Sequence, residues 1–249
     1  MFSLEIDTDA DERDLLIAEL WKLGSAGIVE LSDTRVRAFF DAGADRARLL
    51  ARYPGAAARE EADRDWVAEA RELLQPMEVG RRFFLVPAWR DDPAPPGRFR
   101  ITVNPGMAFG TGVHETTRLC LEALEELVKP GIAVLDVGTG SGILAEAARL
   151  LGARRVIACD VDEEAVRIAG QGFVGSADAV RSAVADLVVA NISPEAVIAL
   201  APEFARVLRP GGTLVASGFN VSEVGMVKAA LGKVTEVRQK GDWAAVVAG

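Results

Sequence analysis

Val134-Leu135-Asp136-Val137-Gly138-Thr139-Gly140-Ser141-Gly142-Ile143-Leu144 is the stretch that decides the fold. An apolar run enters a turn carrying three glycines, and a second apolar segment leaves it. The order is strand, tight turn, helix. Gly138 permits the turn, Gly140 lets a ligand approach the backbone, and Gly142 lets the helix pack closely on the sheet. Asp160 ends the next apolar run, 22 residues after Gly138. A carboxylate in that place accepts hydrogen bonds from ribose hydroxyls. Together they predict a nucleoside-containing ligand. A dinucleotide turn is spaced G-x-G-x-x-G so that pyrophosphate sits on the helix N-terminus. Here the third glycine is Gly142 and position 143 is Ile, which ranks a nicotinamide dehydrogenase last.

Outward from this turn, helical patterns at 116–128, 143–151, 163–169 and 194–208 alternate with apolar strands at 133–137, 155–159, 186–190 and 213–217. Such alternation indicates a parallel sheet covered on both faces. Right-handed crossovers make it doubly wound. Segments 234–238 and 243–247, joined at Lys240-Gly241-Asp242, add an antiparallel hairpin. The expected fold class is α/β: a Rossmann-like, doubly wound, seven-stranded sheet with six parallel strands and one antiparallel.

A small N-terminal α/β domain precedes it. Residues 3–6 read as a strand, and 9–23 as a helix, with Leu15, Leu16, Ala18, Leu20 and Leu23 at helical spacing and Gly24 as its stop. Segments 27–31 and 35–40 flank Ser32-Asp33-Thr34 as a hairpin, 44–52 is a second helix, and 57–62 a fourth strand. Residues 63–75 form a polar helix ending at Pro76, a connector between domains. Strands at 82–86 and 98–103 flank a stiff turn at 91–97. The expected domains are 1–60, a linker helix over 61–76, and 77–249.

Composition narrows the function classes. The chain has 249 residues, half of them apolar, and a formal net charge of −9. A mean hydropathy of +0.18 excludes a wholly disordered chain. The pI of about 4.8 argues against a stable nucleic-acid footprint, which needs clustered Lys and Arg, and favours a basic partner. Cys120, Cys159 and the single histidine, His114, are too few and too scattered for a structural zinc site. The cysteines read as small buried apolar groups. The N-terminus turns acidic at once, unlike a signal peptide, and no apolar run approaches the ~18 residues of a membrane span. A cytoplasmic monomer without membrane association is expected.

Two further stretches carry a resemblance. Asp136-x-Gly-x-Gly-x-Gly is similar to the first motif of class I S-adenosylmethionine methyltransferases, and Leu208-Arg209-Pro210-Gly211-Gly212 to the turn before their fifth strand. Pro105-Gly106-Met107-Ala108-Phe109-Gly110-Thr111-Gly112-Val113-His114-Glu115-Thr116-Thr117 resembles the signature of the bacterial methyltransferase family acting on large-subunit ribosomal protein eleven. Asp65-Trp66, Pro87-Ala88-Trp89 and Val188-Val189-Ala190-Asn191-Ile192 agree with it. The likeness runs over 63–249 by motif and over 1–60 by arrangement alone. It departs from the family at Ala70, where a second aromatic is usual. The crossover after Asp160 is also short: only 161–172 remain, near the practical minimum of about 10–12 residues.

The resemblance implies S-adenosyl-L-methionine as cofactor, held by Thr117, Gly138, Gly140, Asp160 and Asn191, with Ser176 at the strand end beside adenine. It implies lysine ε-amines and the N-terminal amine of a basic ribosomal protein as acceptors, and residues 1–60 as their recognition domain. Asn191, Phe109 and His114 form the expected catalytic set, without a metal. A lysine amine near neutral pH must first lose its proton, at a cost of about 4–5 kcal/mol. A neighbouring carboxylate would favour the charged form and oppose attack. The neutral carbonyl of Asn191 can orient the amine without that penalty. His114 invites either a proton-accepting role or a structural one in its glycine-rich loop. Phe109 and Met107 would close the methyl-transfer pocket or pack in the core. The alternatives are another protein lysine or a nucleobase amine as acceptor, and a cofactor-binding module whose catalysis has decayed.

Overall fold

A computed structural model describes residues 1–9, 12–32, 34–60, 75–103, 114–170 and 172–249. The linker helix expected over 61–76 falls almost wholly outside the described residues, as do Phe109 and Met107. The chain divides into two compact units, Met1–Leu73 and Leu74–Gly249.

In the first unit, strands β1 (Phe2–Asp7), β2 (Gly27–Ser32), β3 (Arg35–Phe40) and β4 (Ala57–Glu60) pair in the order β2-β3-β1-β4. Every pairing is antiparallel. The period-2 pattern of β1 sends Phe2, Leu4 and Ile6 into a core with Val36, Ala38 and Phe40, closed by Leu20 and Leu49 from helices α1 (Arg13–Lys22) and α2 (Arg46–Arg52). Asp45 caps α2 by accepting from the Arg48 amide at 3.0 Å. The α1 helix starts at Arg13, later than the spacing suggested.

The second unit opens with a sheet of β5 (Met77–Val79), β6 (Phe83–Pro87) and β7 (Phe99–Val103). The two expected strands form, and the structure adds their direction: β6 and β7 run parallel, Phe83 opposite Phe99 and Pro87 opposite Val103. The chain must therefore return along the whole strand length. Arg100 holds the returning loop by donating to the Arg90 and Asp92 carbonyls. Proline and glycine mark where a strand stops, not where the next one docks.

The large sheet contains β8 (Ala133–Val137), β9 (Arg155–Asp160), β10 (Phe173–Val174), β11 (Ala185–Asn191), β12 (Leu208–Asn220), β13 (Val234–Lys240) and β14 (Trp243–Ala248), in the order β10-β9-β8-β11-β12-β14-β13. Six strands point one way and β14 opposes them, as expected from the sequence. Strand alternation feeds two cores. Val134, Leu187 and Val189 pack with α3 (Glu115–Leu127) and α4 (Ile143–Leu150), over which the small sheet also lies through Phe83, Leu85 and Ile101. Leu135, Val188 and Ala190 face the opposite core, with Val197, Phe204 and Val227 of α6 (Pro194–Val207) and α7 (Val224–Leu231). Asp186 ties three strands together at the far end of the sheet, accepting from the Ala133 amide at 2.7 Å and from Arg209.

The short crossover is helix α5 (Glu163–Ala169) followed by the two-residue β10. Val174 still pairs with Asp160, and the Gly175 amide donates to the Asp160 carbonyl at 2.8 Å. Strand β10 has only two residues, and its end still reaches the end of β9. The strand order reverses between β8 and β11, and in such sheets a crevice opens at that switch point beyond the strand C-termini.

Candidate functional site

Gly138 ends β8 and Asn191 ends β11, so the chain places them on the two lips of this crevice. A cavity of about 470 Å³ lies there. Gly138, Gly140, Asp160, Ser176, Thr117, Asn191 and His114, all singled out from sequence, line it together. Phe109 lies outside the described residues.

The glycine turn is held from both sides. The Gly138 and Thr139 amides donate to the Cys159 carbonyl at 2.9 and 3.0 Å. Gly138 has φ +71°, and a β-carbon there would stand 2.2 Å from Cγ2 of Ile192. Gly140 donates its amide to Oδ2 of Asp160 at 2.9 Å, while Oδ1 accepts from the Asp162 amide at 3.0 Å. The turn and the carboxylate therefore fix one another.

Asp136 supports the turn from below. It is fully buried, and its Oδ2 accepts from the Thr139 hydroxyl at 2.7 Å and the Ala145 amide at 3.1 Å. It caps α4 from a neighbouring strand, because Gly142 has no side chain to do so. Its Oδ1 has no partner among the described residues. Burial pushes the Asp136 carboxyl up to about 6, against the pull of those two hydrogen bonds. Between about pH 4 and 6 the folded chain then keeps a proton that the unfolded chain has released, so this group's contribution to stability falls as pH rises. The fall totals about 3 kcal/mol. Chemical denaturation of the wild type and Asp136→Asn should show the wild type losing that much relative to the variant across the window. Parallel pH curves would mean the carboxylate is ionised throughout.

Asn191 is 9% exposed. Its Nδ2 donates to Oγ1 of the fully buried Thr117 at 3.3 Å, and its Oδ1 has no partner among the described residues. Ser193 caps α6 through the Ala196 amide, with Pro194 at the first helical position, where its missing N–H costs nothing. His114 caps α3, and its ring meets the Trp243 ring edge-on, centroids 4.5 Å apart.

Among the lining residues that escaped the sequence analysis are Trp243, Ile192 as a wall, and Gly218. Gly218 sits in a bulge of β12 with φ +102°, and a β-carbon there would lie 2.1 Å from the Ile192 carbonyl oxygen. A glycine inside an apolar strand was the available signal for that close approach. Trp243 had no local signal beyond its hairpin. The two cysteines are buried and unpaired with each other, as expected. Burial pushes both thiols up, Cys159 to about 12. Among the described residues no cluster of three or more His, Cys, Asp or Glu could hold a metal, and no helix is long and apolar enough to cross a membrane.

Known proteins share these features. The family described as ribosomal protein L11 methyltransferase (PrmA) matches residues 22–249. The chain is 40% identical over 242 residues to the ribosomal protein L11 methyltransferase of Pelotomaculum thermopropionicum, covering 89% of this chain and 78% of that one. It is 36% identical over 264 residues to the protein of that name from Deinococcus radiodurans, covering 96% and 95%. The crystal structure of ribosomal protein L11 methylase from Lactobacillus delbrueckii subsp. bulgaricus superposes with a TM-score of 0.63 at 29% identity, covering 71% of this chain and 98% of that one. The chain therefore belongs to the ribosomal protein L11 methyltransferase family.

Proposed function

We propose that this chain methylates ribosomal protein L11 on lysine ε-amines and the N-terminal amine, with S-adenosyl-L-methionine as methyl donor. The observation that carries the reading is Oδ1 of Asn191, buried at the cavity wall and without a partner among the described residues, with its amide nitrogen anchored on Thr117. An acceptor so placed calls for an N–H donor from a ligand.

The residues present fit the cofactor. The cavity volume of about 470 Å³ is in the range of small-ligand sites, roughly 300–1,000 Å³. Asp160, braced by two backbone amides, keeps lone pairs for ribose hydroxyls. Gly138 and Gly140 offer bare backbone to the amino-acid end, with Thr117 at the start of α3. Ser176 borders the adenine side. Bound there, the cofactor supplies an electrophilic methyl on a sulfonium.

The chain's own residues do the rest. Asn191 Oδ1 accepts from a neutral amine and aims its lone pair, and the Thr117 contact keeps the amide from flipping. Ile192 and Trp243 present apolar surface that excludes water and disfavours the ammonium form. Orientation and desolvation are the main sources of rate. Phe109 is assigned to closing the pocket on its sequence position alone. We assign residues 1–60 to acceptor recognition and 61–76 to the linker, and the net charge of −9 suits a basic acceptor.

Incubation with methyl-labelled cofactor and L11 tests this. Label is expected in L11, at lysines and the N-terminus. Asp160→Ala should weaken calorimetric cofactor binding about 10- to 100-fold, since a hydrogen bond to a charged group contributes about 1.5–3 kcal/mol. Label in ribosomal RNA instead would make a nucleobase amine the acceptor. Cofactor binding without turnover on L11 would leave a binding module.

A further inference from the structure

We propose that His114 is a positioning residue, the N-cap that sets Thr117 and through it Asn191, and not the acceptor of the amine proton. The proposal rests on the methyl-transfer reading above, but its first test does not.

The argument starts at the open end of α3. The first amides of a helix have no partner within it. His114 precedes Glu115 with φ −67° and ψ 141°, the extended geometry of a cap residue. Its Nδ1 accepts from the Thr116 amide at 3.3 Å and lies 2.8 Å from Oγ1 of Thr116. A backbone amide can only donate, and the Thr116 hydroxyl can turn to donate as well, so we assign Nδ1 as the unprotonated nitrogen that accepts from both. The neutral ring then holds its hydrogen on Nε2. The one nitrogen with a lone pair to accept a proton is therefore the one the helix uses. Protonating it would set an N–H against the Thr116 N–H and remove the cap.

The ring is also held in place. Trp243 meets it at 4.5 Å with planes 72° apart, an edge-to-face arrangement. One residue beyond the capped amide is Thr117, whose hydroxyl accepts the Asn191 amide. A rotation of the first turn of α3 would carry that hydroxyl away and release Asn191. The order of contacts runs from Trp243 to His114, to the helix start, to Thr117, to Asn191. His114 lines the cavity as well, but its Nδ1 is turned to the start of α3 and away from the cavity contents.

His114 is the only histidine in the chain, so nitrogen NMR of histidine-labelled protein reports on it without ambiguity. Above neutral pH, Nδ1 should give the signal of an unprotonated ring nitrogen and Nε2 that of a protonated one. The reverse tautomer would overturn the proposal, and neither result depends on turnover. Kinetics supply the second test. His114→Ala removes the cap and is expected to lower methyl transfer at least fivefold. His114→Asn, whose amide oxygen caps helices and does not titrate, should recover most of that loss and keep the acid limb of the wild-type rate profile. If His114→Asn is as impaired as His114→Ala and the acid limb moves, His114 takes the proton and the proposal fails. If L11 accepts no methyl from the wild type, the functional reading fails while the tautomer result stands.

Discussion

Asn191→Ala is expected to lower kcat for L11 methylation about 100-fold, the size of effect that a misplaced reacting group produces. Cofactor affinity should fall by no more than about tenfold, because a neutral hydrogen bond contributes only about 0.5–1.5 kcal/mol. The split between the two follows from the geometry. Nδ2 of Asn191 is engaged with Thr117, and Oδ1 alone remains to hold the acceptor amine. Asn191→Asp sharpens the test. It keeps the shape but places a carboxylate beside the amine, which stabilises the ammonium. Its activity should be low near neutral pH and should recover as pH rises and the ammonium deprotonates. Single-turnover rates across pH 7–10 would show this. An Asn191→Ala enzyme with wild-type kcat would remove Asn191 from the chemistry.

Gly138→Ala should destabilise the second unit by about 2–5 kcal/mol and abolish measurable cofactor binding. Two costs add. An L-residue at φ +71° pays roughly 1–2 kcal/mol. The new methyl would stand 2.2 Å from Ile192 Cγ2, and overpacking of this kind costs about 1–3 kcal/mol. Ile192 cannot turn aside, because its β-branched side chain is stiff and its carbonyl is pressed against Gly218. Adding Ile192→Ala should relieve the overpacking but not the backbone strain, so the double variant regains only part of the loss. Urea denaturation of the four proteins of this cycle measures the coupling. Strict additivity would mean that Gly138 and Ile192 do not press on each other.

Both arguments use features of different legibility. The strand, turn and helix at 134–144 were readable because a positive φ at Gly138, Gly140 and Gly142 is a local demand that only glycine meets cheaply. Asp160 followed from spacing within one crossover, and the doubly wound, mostly parallel sheet from alternation and handedness. The parallel pairing of β6 and β7 was not readable, since strand direction depends on what lies alongside and not on the residues between. Nor was the role of His114.

The sequence by itself therefore determined the doubly wound sheet and its glycine turn, because periodicity and backbone conformation act over a few neighbours, whereas Asn191 was singled out only by the family resemblance. Only the tertiary structure decided that Asn191 anchors on Thr117, 74 residues away. It likewise decided that Ile192 lies between Gly138 and Gly218, and that Trp243 from the last strand braces the histidine capping α3. Those contacts join segments whose local patterns are independent. Packing around the switch point of the sheet brings them together.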